Sequence, residues 1–385
     1  MKKILAIILT LLMILPIMGC GDTPATSSGG ASTESSGSSG NSDGTKDKIG
    51  MIWYGNTDPM GGTFYAWANH AAELLDVELV WALGSYDTAA ELADCENLIN
   101  AGCKAIYFIP MDTAANLQLG NACQNAGVYW SISNRDINDE DIWNAVKSNP
   151  YFVSHVYDNS YDVCKEMVKV LADQGYKKVC MISGDPTDAM MVDRTAGFTD
   201  GCKEYGIEIL GTFQSSTDTA VVVDGVTNFL TLYPEMEAIL AVSGTAGTGE
   251  AIISTLEGSG REKGSIKVAA FDTFDGNQKA FDDGWLTASC GGYTTECLVS
   301  FLSLVNRVKG NVISDSVVQY SLAPLLITSA EEMKIFSSYV DNPEVQLYSD
   351  EVIKSLVGPD VTAEDYQAIL DDWSIDFVKK AAGVS

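Results

Sequence analysis

At 385 residues, 46 % hydrophobic and 19 % charged, the chain is long enough for two domains with separate cores and has an ordinary globular balance. Its formal net charge is −29, or −31 once residues 1–19 and their two lysines are set aside. That acidity excludes a nucleic-acid partner, whose phosphates would be repelled.

Met1-Lys2-Lys3 is a short basic segment, and Ile4 to Ile17 is an apolar run too short for a comfortable membrane span. This predicts a signal peptide over 1–19. Gly19-Cys20, a small residue and a cysteine directly after the apolar run, resembles the bacterial lipobox, in which the cysteine is diacylated and becomes the new N-terminus. Cys20 is therefore the expected lipidation site, the alternative being an ordinary secretory signal with an incidental cysteine. Acyl chains on Cys20 would give stable anchoring at the cell membrane. Residues 20–47 are rich in Ser, Gly, Thr and Asp, with no apolar surface to bury, and are expected to form a disordered tether.

From Lys48 the pattern changes. Lys48 to Tyr54 predicts a strand, and Thr63 to Leu75 a helix with Phe64, Ala68, Ala71 and Leu75 on one stripe. Strands follow at 77–83, 104–109 and 128–132, alternating with helices at 88–100 and 113–125, the first of these with Thr88 and Glu91 as a capping box. A polar stretch containing Trp143 interrupts the rhythm between 134 and 150. A second run of strands (151–156, 178–183, 207–213, 238–242, 268–272, 286–290) alternates with helices at 189–205, 218–232 and up to 257. A long helix over 294–308 and a strand over 316–321 close the pattern. Strict alternation predicts an α/β fold with doubly wound parallel sheets, and two successive rhythms of similar size predict two similar lobes.

Val268-Ala269-Ala270-Phe271-Asp272 is an apolar run that stops at a carboxylate, as expected of a strand buried on both faces. Ligands of open α/β sheets bind outside the carboxyl ends of such strands, which places Asp272 at the crevice. Capping of the following helix is the competing role for this residue. Arg194 extends the inward stripe of Phe198, Cys202 and Tyr205 at the head of its helix, where it meets either a ligand or a local carboxylate such as Asp185 or Asp188. Phe64 heads its own stripe in the same way, with Tyr65 beside it; a plain core position is the alternative. Trp53, Tyr54 and Trp67 are further aromatic candidates.

The order Leu98-Ile99-Asn100-Ala101-Gly102-Cys103-Lys104-Ala105-Ile106, Ala126-Gly127-Val128, Val153-Ser154-His155-Val156, Asp193-Arg194-Thr195-Ala196-Gly197-Phe198 and Ala270-Phe271-Asp272 resembles the ribose- and galactose-type periplasmic binding proteins, the type 1 solute receptors of ABC transporters. The resemblance runs from about Lys48 to Ile327. It implies two Rossmann-like lobes joined by crossover strands, with a ligand trapped between them. Divided on that pattern, one lobe comprises 48–154 plus 293–322, and the other 155–292 plus 323–385 with a C-terminal extension. It also implies ligand contacts from Phe64 and Tyr65 as a stacking pair, Asn134 and Arg135, Arg194, Ser243 and Asp272. Asn134 stands where the family usually has Asp, Ser243 where Asn is frequent, and Gly292 where Gln is frequent. Two arginines against one clear aspartate suit a larger sugar, a sugar derivative or an anionic polyol better than plain ribose.

No cofactor and no metal site is expected: His70 and His155 are the only histidines, and no His-Cys-Asp cluster has metal-ligand spacing. His155 reads as a core or crossover residue, Asp112 and Asp158 as helix caps. Gly244, Gly247 and Gly249 fail the dinucleotide fingerprint because Ile252 fills the last glycine position. Ser329 and Thr362 begin capped helices in an extension read as a structural appendage. Eight cysteines besides Cys20 lie in strands or helices without a Cys-x-x-Cys pair and are expected to be mostly free thiols. The expected protein is an extracytoplasmic, lipid-anchored, monomeric receptor that delivers a sugar-like ligand to an ABC permease. A ligand-sensing subunit of a membrane signalling system, or an anchored surface enzyme, are the alternatives.

Overall fold

The computed structural model describes residues 46–384 apart from 85–86, 111, 187, 216–217 and 246. The expected signal peptide, Cys20 and most of the tether lie outside the described residues. Strand β1 (Asp47–Trp53) is buried from Ile49 onward. Asp58 then caps α1 (Pro59–Leu74), accepting from the Gly61 amide, with Pro59 at the first helical position. The helix therefore begins four residues before the predicted Thr63, because a cap and a proline outweigh the Gly61-Gly62 pair. The alternation continues through β2 (Val77–Leu83), α2 (Thr88–Asn100), β3 (Ala105–Phe108), α3 (Ala115–Ala126), β4 (Tyr129–Ser133), α4 (Glu140–Lys147) and β5 (Phe152–Asp158). Asp87, not Thr88, caps α2. Helix α4 occupies the stretch read as a pause. Its signals were Asp139, whose side chain accepts from the Ile142 amide, and two acidic residues in its first turn.

The second series runs α5 (Ser160–Asp173), β6 (Lys178–Ser183), α6 (Ala189–Tyr205), β7 (Glu208–Gln214), α7 (Thr219–Leu232), β8 (Ala238–Ala241), α8 (Thr248–Gly258), β9 (Lys267–Ala270), α9 (Asn277–Asp282) and β10 (Leu286–Gly291). Helix α10 (Thr294–Val308) follows, then β11 (Val318–Leu322) and β12 (Leu325–Ile327). Two six-stranded sheets result, ordered β11-β5-β4-β3-β1-β2 and β12-β10-β9-β8-β6-β7. Every pairing is parallel except β10 with β12. Parallel strands need helices on both faces, which is why β3, β8 and β10 are buried along their whole length.

The chain passes between the lobes three times: after β5 into α5, through Gly291-Gly292-Tyr293 into α10, and from β11 to β12. Two of these passages are tied together, since the Asn159 amide donates to Leu322 O at 2.7 Å. Helix α10, buried from Thr294 to Asn306, packs on β3, β4 and β5 of the first sheet.

The remaining chain forms α11 (Ala330–Ile335), a π-helical turn at Phe336–Val340, α12 (Asp350–Ser355), α13 (Ala363–Asp371) and α14 (Ile375–Ala382). Ser329 caps α11, and Thr362 with Asp365 forms a capping box for α13. The sequence reading groups these residues with the second lobe, yet they contact both. Helix α11 packs on α9, whereas α12 packs on α1 and α13 on β11 and α10. Trp67 Nε1 donates to Val345 O at 2.7 Å, and buried Asn306 donates to Leu356 O and the Tyr366 hydroxyl. Apolar residues Phe336, Tyr348, Tyr366 and Trp373 are what make this docking favourable.

Candidate functional site

Strand β9 ends at Ala270, and two residues on Asp272 adopts φ 65°, turning its carboxylate away from the strand axis. It does not cap α9, whose N-cap is Gly276. Instead Arg194 Nη1 donates to Asp272 Oδ2 at 2.9 Å, the Tyr293 hydroxyl to Oδ1 at 2.7 Å and Ser243 Oγ to Oδ2 at 3.3 Å. Arg194 is 2 % exposed. Its Nε donates to Ser160 Oγ, its Nη1 also to Val242 O, and its guanidinium lies 3.7 Å from the centre of the Phe271 ring. Nη2 lies 3.6 Å from Asp158 Oδ2. The carboxylates beside Arg194 are thus Asp272 and Asp158, not Asp185 or Asp188. Asp158 is not a helix cap: Asn159 caps α5, and Asp158 accepts from Ser160 Oγ at 2.8 Å. Burial raises Asp158 above the usual aspartate range against the pull of Arg194.

On the first lobe Asn134 follows β4 with φ 68° and donates through Nδ2 to Glu296 Oε1 at 3.0 Å. Glu296 is fully buried at the start of α10, and its Oε2 has no hydrogen-bond partner. Burial, then the negative charge of Asp158, raises its carboxyl well above the usual range. Arg135 Nη1 and Arg194 Nη2 both meet Met190 Sδ at 3.1 Å, so one methionine from α6 sits between the two guanidinium groups. His155 is buried behind Arg135, with Nε2 donating to Arg135 O and Nδ1 accepting from Gln319. Burial lowers its imidazole to about 4, as a satisfied neutral core histidine requires.

The structure brings together Asn134, Arg135, Arg194, Ser243 and Asp272 but not Phe64 and Tyr65. Because α1 starts at Pro59, Phe64 lies more than a turn inside the helix. It is fully buried against Trp53 and Tyr107, while Tyr65 packs on Trp81 of β2. The residues that α1 presents at the crevice are Asp58, Pro59 and Met60, lining a cavity of about 840 Å³ with Tyr54, Asp272 and Tyr293. Tyr54 was a secondary candidate; Trp53 and Trp67 are core residues. The space conceded by Gly292 is taken by β12 and the extension, since a Cβ there would meet Leu325 and Trp373 at 3.2–3.3 Å. A second opening of about 380 Å³ lies between Asp112, Arg135 and Asp188. Sequence reasoning missed Glu296, Tyr293 and the role of Asp158. The signal for Glu296 was a carboxylate inside a helix otherwise apolar enough to be wholly buried. Counting these acids reverses the expected balance of two arginines to one aspartate.

Two mostly parallel sheets linked by three passages, with a polar crevice at the strand ends, define a two-lobed α/β protein with its candidate site between the lobes. The chain belongs to the periplasmic binding protein domain family, which it matches over residues 49–296. It is 26 % identical over 220 residues to a Rhizobium meliloti protein described as rhizopine-binding, covering 56 % of this chain and 68 % of that one. It is 24 % identical over 250 residues to the ribose import binding protein of Escherichia coli K12, covering 63 % of this chain and 78 % of that one. An ABC transporter solute-binding protein of Actinobacillus succinogenes with bound D-allose superposes with a TM-score of 0.64 at 18 % identity, covering 75 % of this chain and 99 % of that one.

Proposed function

We propose that the protein is an extracytoplasmic receptor that binds one small polar solute, a sugar or sugar derivative, between its lobes and delivers it to an ABC permease. The observation that carries this reading is the interlobe cavity of about 840 Å³, which opens at the carboxyl end of β9 and takes walls from both lobes. Its size suits a small solute, and Asp272 and Tyr293, which line it, offer the fixed polar groups that orient hydroxyls. The names of the relatives, ribose import and D-allose binding among them, support the ligand class. Both histidines are engaged elsewhere, His70 with Asp350 and His155 behind Arg135, which leaves the cavity without an imidazole base and favours binding over catalysis.

In this reading the receptor acts as a monomer and is held at the membrane by acyl chains on Cys20. No described helix is long and apolar enough to cross a membrane. Lobes of 48–154 plus 293–322 and 155–292 plus 323–385 move about the three passages, with the extension lying across both. A thermal-shift panel of D-ribose, D-allose, L-arabinose, myo-inositol and their derivatives tests the proposal. A true ligand at 100 times its dissociation constant adds about 2.7 kcal/mol of stability. A folded protein stabilised by no member of the panel would sink it.

A further inference from the structure

The larger cavity has an unusual charge inventory. Asp58, Glu250, Asp272, Asp275 and Asp341 line it, and among its described lining residues there is no lysine, arginine or histidine. Arg194, the nearest guanidinium on the second lobe, is committed to Asp272, Val242 O and Ser160. Two of the acids present oxygens that are buried yet unmatched: Glu250 Oε2 and Asp341 Oδ1 have no hydrogen-bond partner. The seam beside the cavity repeats the pattern with Glu296, fully buried and with Oε2 unmatched. A buried carboxylate oxygen without a donor costs free energy, and a cationic donor placed there recovers it. Aromatic faces are available for a ring or for the cation itself, since Tyr54, Phe274 and Phe336 also line the cavity.

Phe336 opens the π-helical turn of the C-terminal extension and Asp341 directly follows it, both beyond the 49–296 family match. They reach the cavity because α11 packs on α9 and brings the turn over Gly291, where a Cβ would meet Phe336 at 2.9 Å. The extension therefore supplies part of the binding wall.

We propose that the ligand carries a positively charged amine, and that the C-terminal extension selects for it by placing Asp341, together with Glu250, in the interlobe cavity. The ligand class is an aminated sugar or aminated polyol; the inference rests on the receptor reading above and narrows it. Burial, reinforced by the charge of Asp58, pushes the Asp341 carboxyl up to about 7, and a cation beside it would favour the ionised form. Neutral hydroxyls alone would leave the surplus of carboxylates unbalanced, and an anionic ligand would add to it.

The test is calorimetric titration of the full chain with matched sets: D-glucosamine, D-glucose and N-acetyl-D-glucosamine; the three galactose counterparts; and an amino-deoxyinositol with myo-inositol. In the set that binds, the amine should bind at least tenfold more tightly than its neutral parent and its acetylated form. Asp341→Asn, which keeps the shape and removes the charge, should cut that preference to threefold or less. Glu250→Gln is the second variant and should lower the preference in the same direction. A parent that binds as tightly as its amine, or a preference unchanged in both variants, overturns the inference while the receptor reading stands. Absence of binding in every set, with the broader sugar panel also silent, overturns both.

Discussion

Asn134 and Asp272 stand at the same place in the two lobes. Each follows the third strand of its sheet, β4 and β9, and each adopts a left-handed backbone, φ 68° and 65°. Asn and Asp tolerate this conformation better than other side-chain-bearing residues. The turn aims both side chains at the same passage between lobes, Asn134 at Glu296 and Asp272 at Tyr293, three residues apart at the head of α10. One helix start thus reads the equivalent corner of each lobe.

That placement makes Asp272 structural as well as polar. In Asp272→Ala the left-handed backbone would carry a Cβ without a compensating polar side chain, at about 1–2 kcal/mol. Arg194 would keep only Asp158 as a more distant charge partner, and breaking a buried pair costs about 3–5 kcal/mol. Urea unfolding should show Asp272→Ala destabilised by several kcal/mol and Asp272→Asn by clearly less. Equal stability of Asp272→Ala and wild type would show that the pair with Arg194 does not hold the lobe together.

Two buried groups titrate in opposite senses across one pH window. His155 has a folded value of about 4, below its ordinary ~6.5. The unfolded chain takes up that proton first, so His155 makes the protein less stable as pH falls from about 6.5 to 4, by roughly 3 kcal/mol at most. Asp341 has a folded value of about 7, above its ordinary ~3.9. Here the folded chain holds the proton, so stability falls as pH rises from about 4 to 7, by roughly 4 kcal/mol at most and less where cavity water reaches the group. Unfolding curves of Asp341→Asn should therefore gain over wild type at pH 8 and match it near pH 4. A gain that is the same at both pH values would contradict a raised carboxyl.

The extension should be coupled energetically to the first lobe through Asn306. This fully buried side chain donates to Leu356 O and Tyr366 Oη, and its Oδ1 accepts from the Gly358 amide at 2.9 Å. Asn306→Leu would strand the Gly358 amide, at about 1–3 kcal/mol, whereas Leu356 O keeps the Tyr366 hydroxyl as a donor. The expected result is a loss of roughly 1–3 kcal/mol and faster proteolytic cleavage within 342–385. Unchanged stability would mean that the extension is held by its apolar contacts alone.

The eight described cysteines, at 95, 103, 123, 164, 180, 202, 290 and 297, are buried free thiols. Burial pushes Cys103 up to about 11, and Cys180 and Cys202 up to about 12, so little thiolate exists at neutral pH. A thiol reagent should find none readily in the native protein and eight after denaturation without reductant. Fewer would reveal disulfides, and a ninth would show that Cys20 carries no lipid.

How much of this was legible in advance follows from the range of the forces involved. Alternation of apolar runs with amphipathic stripes is a local property, so the chain by itself determined two parallel α/β series, the 189–205 and 294–308 helices and the place of Asp272 at a strand end. Caps are equally local, which is why Ser329 and Thr362 announced their helices. The start of α1 was decided by Asp58 and Pro59 against a glycine pair, and that shift moved Phe64 and Tyr65 out of the crevice and put Met60 in. What no local pattern contains is which side chains far apart in the chain meet. Arg194 and Asp272 are 78 residues apart within the second lobe, Asn134 and Glu296 are 162 apart within the first, and only the folding of each lobe brings them within hydrogen-bond reach. The same holds for Asp341: its carboxylate joins the cavity because α11 docks on α9 through apolar contacts formed only in the assembled fold.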